Sequence, residues 1–307
     1  MTGVRFSYNV YLPTLKKYAR FYEFTGDHYL TIAKHIQNND DTRVLELFQQ
    51  MISELCLDPT TLDNMTKIDM FCVLLNMRIL CVSDKMEMML RSDDEEQHPQ
   101  KIVFDLYDIL DKVTNYDVKY TQNIKTSPEC SVKLSTPQQF ITTDTDELIM
   151  SVLECLYMFG KQYNFKNLST KQQKIALDNM PGNILTDITR AVNKIDEKYS
   201  ICVLNRDQFK LATEGDVMDF NLRMYDNSFY EFLKLIYGCN LEEQYYVRYL
   251  MVKQMRFNLD DVAKHPPYVT NTYINLYRKE LDEQKKQSEK NNQSTGGMSL
   301  PQHNFTQ

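Results

Sequence analysis

The chain has 307 residues, 42% hydrophobic and 25% charged, enough for one large domain or two ordinary ones around a buried core. Its 35 Lys and Arg against 42 Asp and Glu leave a formal charge of -7, the wrong sign for a protein that grips a phosphate backbone. No apolar run reaches the roughly 18 residues a membrane helix needs, and the opening MTGVRFSYNVYLP alternates rather than forming an apolar signal region.

The predicted fold class is α+β. An N-terminal β-hairpin packs on helices, a mixed segment follows, and the C-terminal region is helical. The hairpin opens the chain. Val4, Phe6, Tyr8, Val10 and Leu12 fall on one face of a period-two pattern, and Arg5, Ser7 and Asn9 on the other. Pro13 ends that strand, because proline cannot donate to a ladder, and residues 16–24 supply the return strand. Thr25-Gly26-Asp27 opens a helix with a stripe of Tyr29, Ile32, Ala33 and Ile36. A second helix over 42–56 carries Val44, Leu47, Phe48, Met51 and Leu55, and Pro59 stops it. A third, over 65–88, is apolar on most sides and therefore central. Its methionines (Met65, Met70, Met77, Met86, Met88, Met89) suit core filling or an adaptable surface. The acidic DDEE at 93–96 reads as a solvated linker, or as a contact for a basic partner.

The middle changes character. Residues 101–107 and 131–135 read as strands, and a helix follows the TTDTDE run at 142–147. That run lacks the glycine and the spacing of a calcium loop, and Asp144 or Thr145 fits a helix cap. Residues 169–195 read as helix, a Met180-Pro181-Gly182 break, and helix. Residues 199–205 and 208–213 are strand-like, with Arg206-Asp207 as the turn. The last third gives two long helices and a short one, the short one followed by Pro266-Pro267. The resulting division is 1–92, 93–215, 216–287 and a polar, disordered tail at 288–307.

Signatures of catalysis are missing. The eight glycines fit neither GxGxxG, a GK[ST] loop, nor GxSxG. The seven cysteines show no CxxC spacing, and most sit among apolar neighbours, as buried thiols do in a reducing compartment. His28 and His35 stand two helical turns apart, too far for an adjacent-turn metal pair. The expectation is no enzyme, no cofactor and no metal.

A series of segments carries a resemblance. They are VYLPTLKKYARFYEF (10–24), LELFQQMISELCLD (45–58) and NMTKIDMFCVLLNMRILCVSDK (64–85), followed by LSTKQQKIALDNMPGNI (168–184) and YSICVLNRDQFKLA (199–212). In this order they resemble the T-even-type bacteriophage baseplate hub family, which helps build the centre of a contractile tail. The similarity of segment order extends over about residues 4–285, and Asp69 and Arg78 fall on the family's aspartate and arginine. Cys202 stands alone where some relatives carry a metal-binding pair, so no zinc is expected. His265 and Pro267 replace the acidic or small residues common at the last turn.

The resemblance implies a hub subunit or an assembly factor that acts by protein–protein binding. Its expected partners are other baseplate hub proteins and the tape-measure protein, met in the host cytoplasm during assembly or in the virion tail. A cytoplasmic helical adaptor unrelated to virions is the alternative, and a cryptic hydrolase the third reading. Asp69 and Arg78 lie about 13–14 Å apart along one helix, so they cannot pair with each other. They either pin the hairpin and helices together or are a cap-proximal acid and a solvated base. The densest feature is the C-terminal tyrosine stripe. Tyr237, Leu241, Tyr245, Tyr249, Phe257, Tyr273 and Tyr277 are the candidate partner-binding residues, since tyrosine offers wide contact area with a polar tip. A helical core with a wet edge is the competing reading.

Overall fold

The structure, a computed structural model, describes residues 6–90, 100–115, 121–127, 130–137, 145–158, 160–198, 200–204 and 220–295. The expected DDEE linker, Asp144, the strand at 208–213 and the last part of the tail lie outside them.

The hairpin forms as expected. β1 (Ser7–Leu12) pairs antiparallel with β2 (Lys17–Tyr22), in register from Ser7↔Tyr22 to Leu12↔Lys17. Val10, Leu12, Ala19 and Phe21 point into the core, so Tyr11, Tyr18 and Arg20 point out. Phe6, expected on the apolar face, precedes the strand and is 64% exposed.

α1 (Gly26–Gln37) starts at a reciprocal cap. The Thr25 hydroxyl accepts from the His28 N–H, and the His28 ring accepts from the Thr25 N–H. α2 (Asp41–Leu55) is capped by Asp40, and a short 3₁₀ turn, Pro59–Asn64, leads into α3 (Lys67–Cys81). α3 is buried almost all round, as its uniform apolarity predicts.

The expected helix over 65–88 is too long. α3 ends at Cys81, and β3 (Lys85–Leu90) pairs antiparallel with β4 (Gln100–Asp105). Lys85 and Glu87 are exposed while Met86 is buried, the period-two alternation of a strand. α4 (Leu106–Thr114) follows, capped by Asp105.

The central segment holds a four-stranded antiparallel sheet in simple sequential order. Its strands are β5 (Thr121–Ser127), β6 (Cys130–Ser135), β7 (Leu153–Met158) and β8 (Lys161–Asn164). α5 (Thr145–Val152) is short, so the helix expected beyond residue 152 is instead strand. α6 (Thr170–Asp178) and α7 (Gly182–Lys198) flank the expected break. β9 (Ile201–Leu204) pairs with β10 (Phe220–Leu222).

Among its described residues the C-terminal region has four helices rather than three: α8 (Ser228–Tyr237), α9 (Leu241–Lys253), α10 (Leu259–Lys264) and α11 (Pro267–Thr295). Gly238 closes α8 and Asn240 caps α9, splitting what reads as one long helix. α11 continues to Thr295, past residue 288 where a disordered tail is expected.

Three charged side chains of α3 are pulled inside, at 2% exposure for Lys67, 0% for Asp69 and 6% for Arg78. Burial of an unpartnered charge costs several kcal/mol, and each of the three finds partners in another segment. Lys67 donates to the carbonyls of Met224 (3.2 Å) and Asp226 and lies over the Phe229 ring. Asp69 accepts from the Thr14 N–H (3.0 Å) and hydroxyl, and from the Thr66 N–H (3.1 Å). Arg78 donates to the carbonyls of Ile236 (2.7 Å) and Ser83 (2.8 Å). Asp69 thus pins the hairpin turn and Arg78 pins the end of α8. Arg78 is not the solvated base of the plainer reading, whereas Asp69 is its cap-proximal acid, closing a capping box with Thr66, and pins the hairpin as well. Burial pushes the Asp69 carboxyl above its ordinary value of 3.8, and the hydrogen bonds from Thr66 and Thr14 offset only part of that.

These α3 contacts can be tested by unfolding. Asp69→Ala, which orphans the Thr14 and Thr66 donors, lowers stability by about 2–4 kcal/mol in urea. Because the folded pKa is raised, Asp69 contributes stability at pH below 3.8 that is lost as pH rises through the folded value. Relative to Asp69→Asn, the wild type therefore weakens as pH rises across that window. Tyr237→Phe removes the bond from the Tyr237 hydroxyl to the Leu74 carbonyl (2.8 Å) and costs about 1 kcal/mol by the same measurement.

Candidate partner-binding surface

α9 begins at Asn240, whose side-chain oxygen accepts from the Glu243 N–H at 3.2 Å. Of its thirteen residues only Val247 and Met251 are buried. They join Val262 of α10 and Ile274 of α11 in a small second core, edged by Leu250, Met255 and Phe257. So small a core covers one side of α9 and leaves the other to solvent.

The uncovered side carries tyrosine. Tyr245, Tyr246 and Tyr249 are 53%, 58% and 55% exposed, and the rings of Tyr246 and Tyr249 stack at 6.4 Å. Spacings of three and four residues set these rings on one side of the helix, with Val252 continuing the stripe. Covering each ring with a partner is worth roughly 1–2 kcal/mol.

The second core is tied to the first through α1. Arg248 pairs with Asp27 at 2.8 Å, the Gly26 N–H donates to the His265 carbonyl at 2.8 Å, and the Tyr268 hydroxyl donates to Glu23 at 3.3 Å. A Cβ on Gly26 would sit 3.1 Å from the Arg248 guanidinium and 3.2 Å from the His265 carbonyl. Glycine there allows the close approach of α1 to the turn before α11. Burial pushes the Glu23 carboxyl above the usual range, against the lowering effect of the Tyr268 hydrogen bond.

The predicted site residues separate. Tyr237 is a correction. It is fully buried, its ring against Phe48 at 5.1 Å and its hydroxyl on Leu74, because α8 packs inward on α3. Tyr245 and Tyr249 lie together on the open side of α9, with Leu241 half-buried at its start. Phe257 and Tyr273 meet at 5.1 Å over the second core, and Tyr277 lies one turn further along α11, half-buried. Two features escape the sequence-based set. Tyr246 is as open as its neighbours. On the hairpin, Tyr18 is 70% exposed and its ring lies 5.2 Å from Tyr11. The strand alternation, which puts both tyrosines opposite the buried positions, is the signal that finds the second.

A groove of about 290 Å³ between α1 and α2 includes His28, but that imidazole is engaged by Thr25 at 2.7 Å and faces Glu54 at 3.5 Å. Among the described residues no three His, Cys, Asp or Glu side chains are grouped to hold a metal ion, and no helix is long and apolar enough to cross a membrane. The cysteines form no disulfide. Burial pushes the Cys81 thiol up to about 12 and that of Cys239 up to about 11, so both stay protonated near neutral pH.

Comparison with known families gives one result. A family model described as T4 bacteriophage base plate protein matches residues 5–205. Neither comparison with curated proteins nor comparison with solved structures gives a match. The matched stretch takes in the hairpin, α1 to α7 and β9, and includes Asp69 and Arg78. It ends before α8, so the tyrosine face of α9 lies beyond it. Covering more than half of the sequence, the match places this chain in the T4 bacteriophage base plate protein family.

Proposed function

We propose that the chain is a hub subunit or hub assembly factor of a contractile-tail baseplate, and that it works by binding other proteins rather than by catalysis. Family membership supports the baseplate setting and removes the ground for an adaptor unrelated to virions. The observation that carries the binding reading is the row of Tyr245, Tyr246 and Tyr249 on the open side of α9. Three half-exposed aromatic rings backed by a small rigid core have the composition of an interface centre. Leu241 extends this face along α9. Phe257, between α9 and α10, and Tyr273 and Tyr277, on α11, form its edge. Tyr237 has no part in it.

The partners in this reading are other hub proteins and the tape-measure protein. The chain meets them in the host cytoplasm while the tail is built. The mechanism is shape and burial: an aromatic face covers an apolar surface of the incoming subunit and fixes its orientation.

The test is recovery of tail proteins on a tagged chain from infected cells, read by mass spectrometry. The variant Tyr245→Ser/Tyr246→Ser/Tyr249→Ser changes stability by only about 0.5 kcal/mol per site, yet its recovery of baseplate proteins falls at least about tenfold. Equal recovery by wild type and variant would contradict the assignment of this face. The tagged chain in purified virions marks a subunit; its presence in cells alone marks an assembly factor.

A further inference from the structure

We propose that the chain associates with itself head to tail, the outer face of the β1–β2 hairpin of one copy seating on the tyrosine face of α9 of the next. This rests on the reading of α9 as a docking face and names a second copy as an occupant.

The argument begins with charge. In a chain of net charge -7, the first 22 residues contain no Asp or Glu; their charges are Arg5, Lys16, Lys17 and Arg20. Lys17 turns inward to the Thr61 hydroxyl at 2.8 Å. Lys16, in the turn, and Arg20, on the outer face, are exposed and make no ion pair among the described residues. The tyrosine face of α9 begins with Glu242 and Glu243, which are likewise exposed and without an ion pair among the described residues. The basic Lys253 lies at the far end of the helix, about 16 Å from Glu242. One face is therefore aromatic and basic, and the other is aromatic and acidic at its leading end.

The spacings agree. On the hairpin, Tyr11 stands directly opposite Tyr18, and the next outward row is Asn9 opposite Arg20. That sets Arg20 about 7 Å along the strand from Tyr18. On α9, Glu242 lies one turn, about 6 Å, before Tyr246. Seating the Tyr11–Tyr18 pair on Tyr246 and Tyr249 brings Arg20 onto Glu242 and covers exposed rings on both sides. The hairpin's alternative use of Arg20 is a bond to the Ser7 hydroxyl at 2.9 Å, which leaves the rest of the guanidinium fork available. In the head-to-tail arrangement proposed, the contact is heterologous. Repeated, it closes into a ring or grows as a filament, whereas a self-complementary face stops at a dimer.

The experiment is sedimentation velocity of the full chain up to about 100 µM, since one narrow face on each side makes a weak contact. The wild type is expected to grow past a dimer and to weaken at least about tenfold between roughly 0.05 and 0.5 M salt. Lys16→Glu/Arg20→Glu and Glu242→Lys/Glu243→Lys are each expected to be monomeric. Mixed, they are expected to grow again in alternating order, because the two unaltered faces still meet and the two charge-reversed faces are opposite in sign. Tyr18→Ser and Tyr246→Ser probe the same faces without changing charge, and far-ultraviolet circular dichroism checks that every variant is folded. A wild type that stays monomeric, a single dimer that neither swap weakens, or a mixture with no pair would overturn the proposal. A monomeric wild type that still recovers baseplate proteins through α9 overturns self-association alone; one that does neither overturns the docking face as well.

Discussion

The fold depends on the burial of α3. A helix with almost no exposed side cannot leave Lys67, Asp69 and Arg78 in water, and the interior cannot hold them unpartnered. Each is satisfied by backbone groups from a different part of the chain. Asp69 holds the hairpin turn through Thr14, Lys67 holds the loop before α8 through Met224 and Asp226, and Arg78 holds the last turn of α8 through Ile236. Once these are made, the position of the first 22 residues and of α8 relative to α3 is fixed. The aromatic core then closes over them: Phe71 meets Phe229 edge-on at 4.7 Å, and Tyr237 caps the cluster from above Phe48.

That arrangement decides which rings are structural and which are available. α8 lies against α3, so Phe229, Tyr230, Phe232 and Tyr237 are spent inside. α9 leaves α8 at Gly238 and rests on a core of only four buried residues. Among the described residues its other side is left about half exposed, and tyrosine is the residue that tolerates both states, with an apolar ring for a partner and a hydroxyl for water. The same division holds on the hairpin, where the pleat sends Val10, Leu12, Ala19 and Phe21 inward and Tyr11 and Tyr18 outward. Under the proposed function, partner binding falls to the rings the core leaves over.

Much of this is legible in the amino-acid sequence. Local chemistry marks the helix starts: Thr25, Asp40 and Ser169 each supply the oxygen that an orphan N–H requires. Segment order carries the family resemblance over about residues 4–285, and the family match supports it over 5–205. The segments whose pattern misleads share a cause. Residues 86–90 and 153–158 are short stretches rich in methionine or leucine that follow a helical run, so their apolar residues are easily read as its continuation. Their strand pairing, β3 with β4 and β6 with β7, arises from residues distant in sequence. Tyr237 misleads for a related reason. Nothing local separates it from Tyr245; only the packing of α8 on α3 does. The bonds of Lys67 and Arg78 span more than 150 residues, and no local pattern encodes such partners.

The central claim is that a core organised by α3 presents the α9 tyrosines for capture by other baseplate proteins. Hydroxyl-radical footprinting reads it directly, because tyrosine rings report their own exposure. The tagged chain would be labelled free and again within purified baseplate assemblies. Protection of Tyr245, Tyr246 and Tyr249 on assembly, with Tyr237 unreactive in both states, is the predicted result. Equal labelling of the three in both states would contradict it.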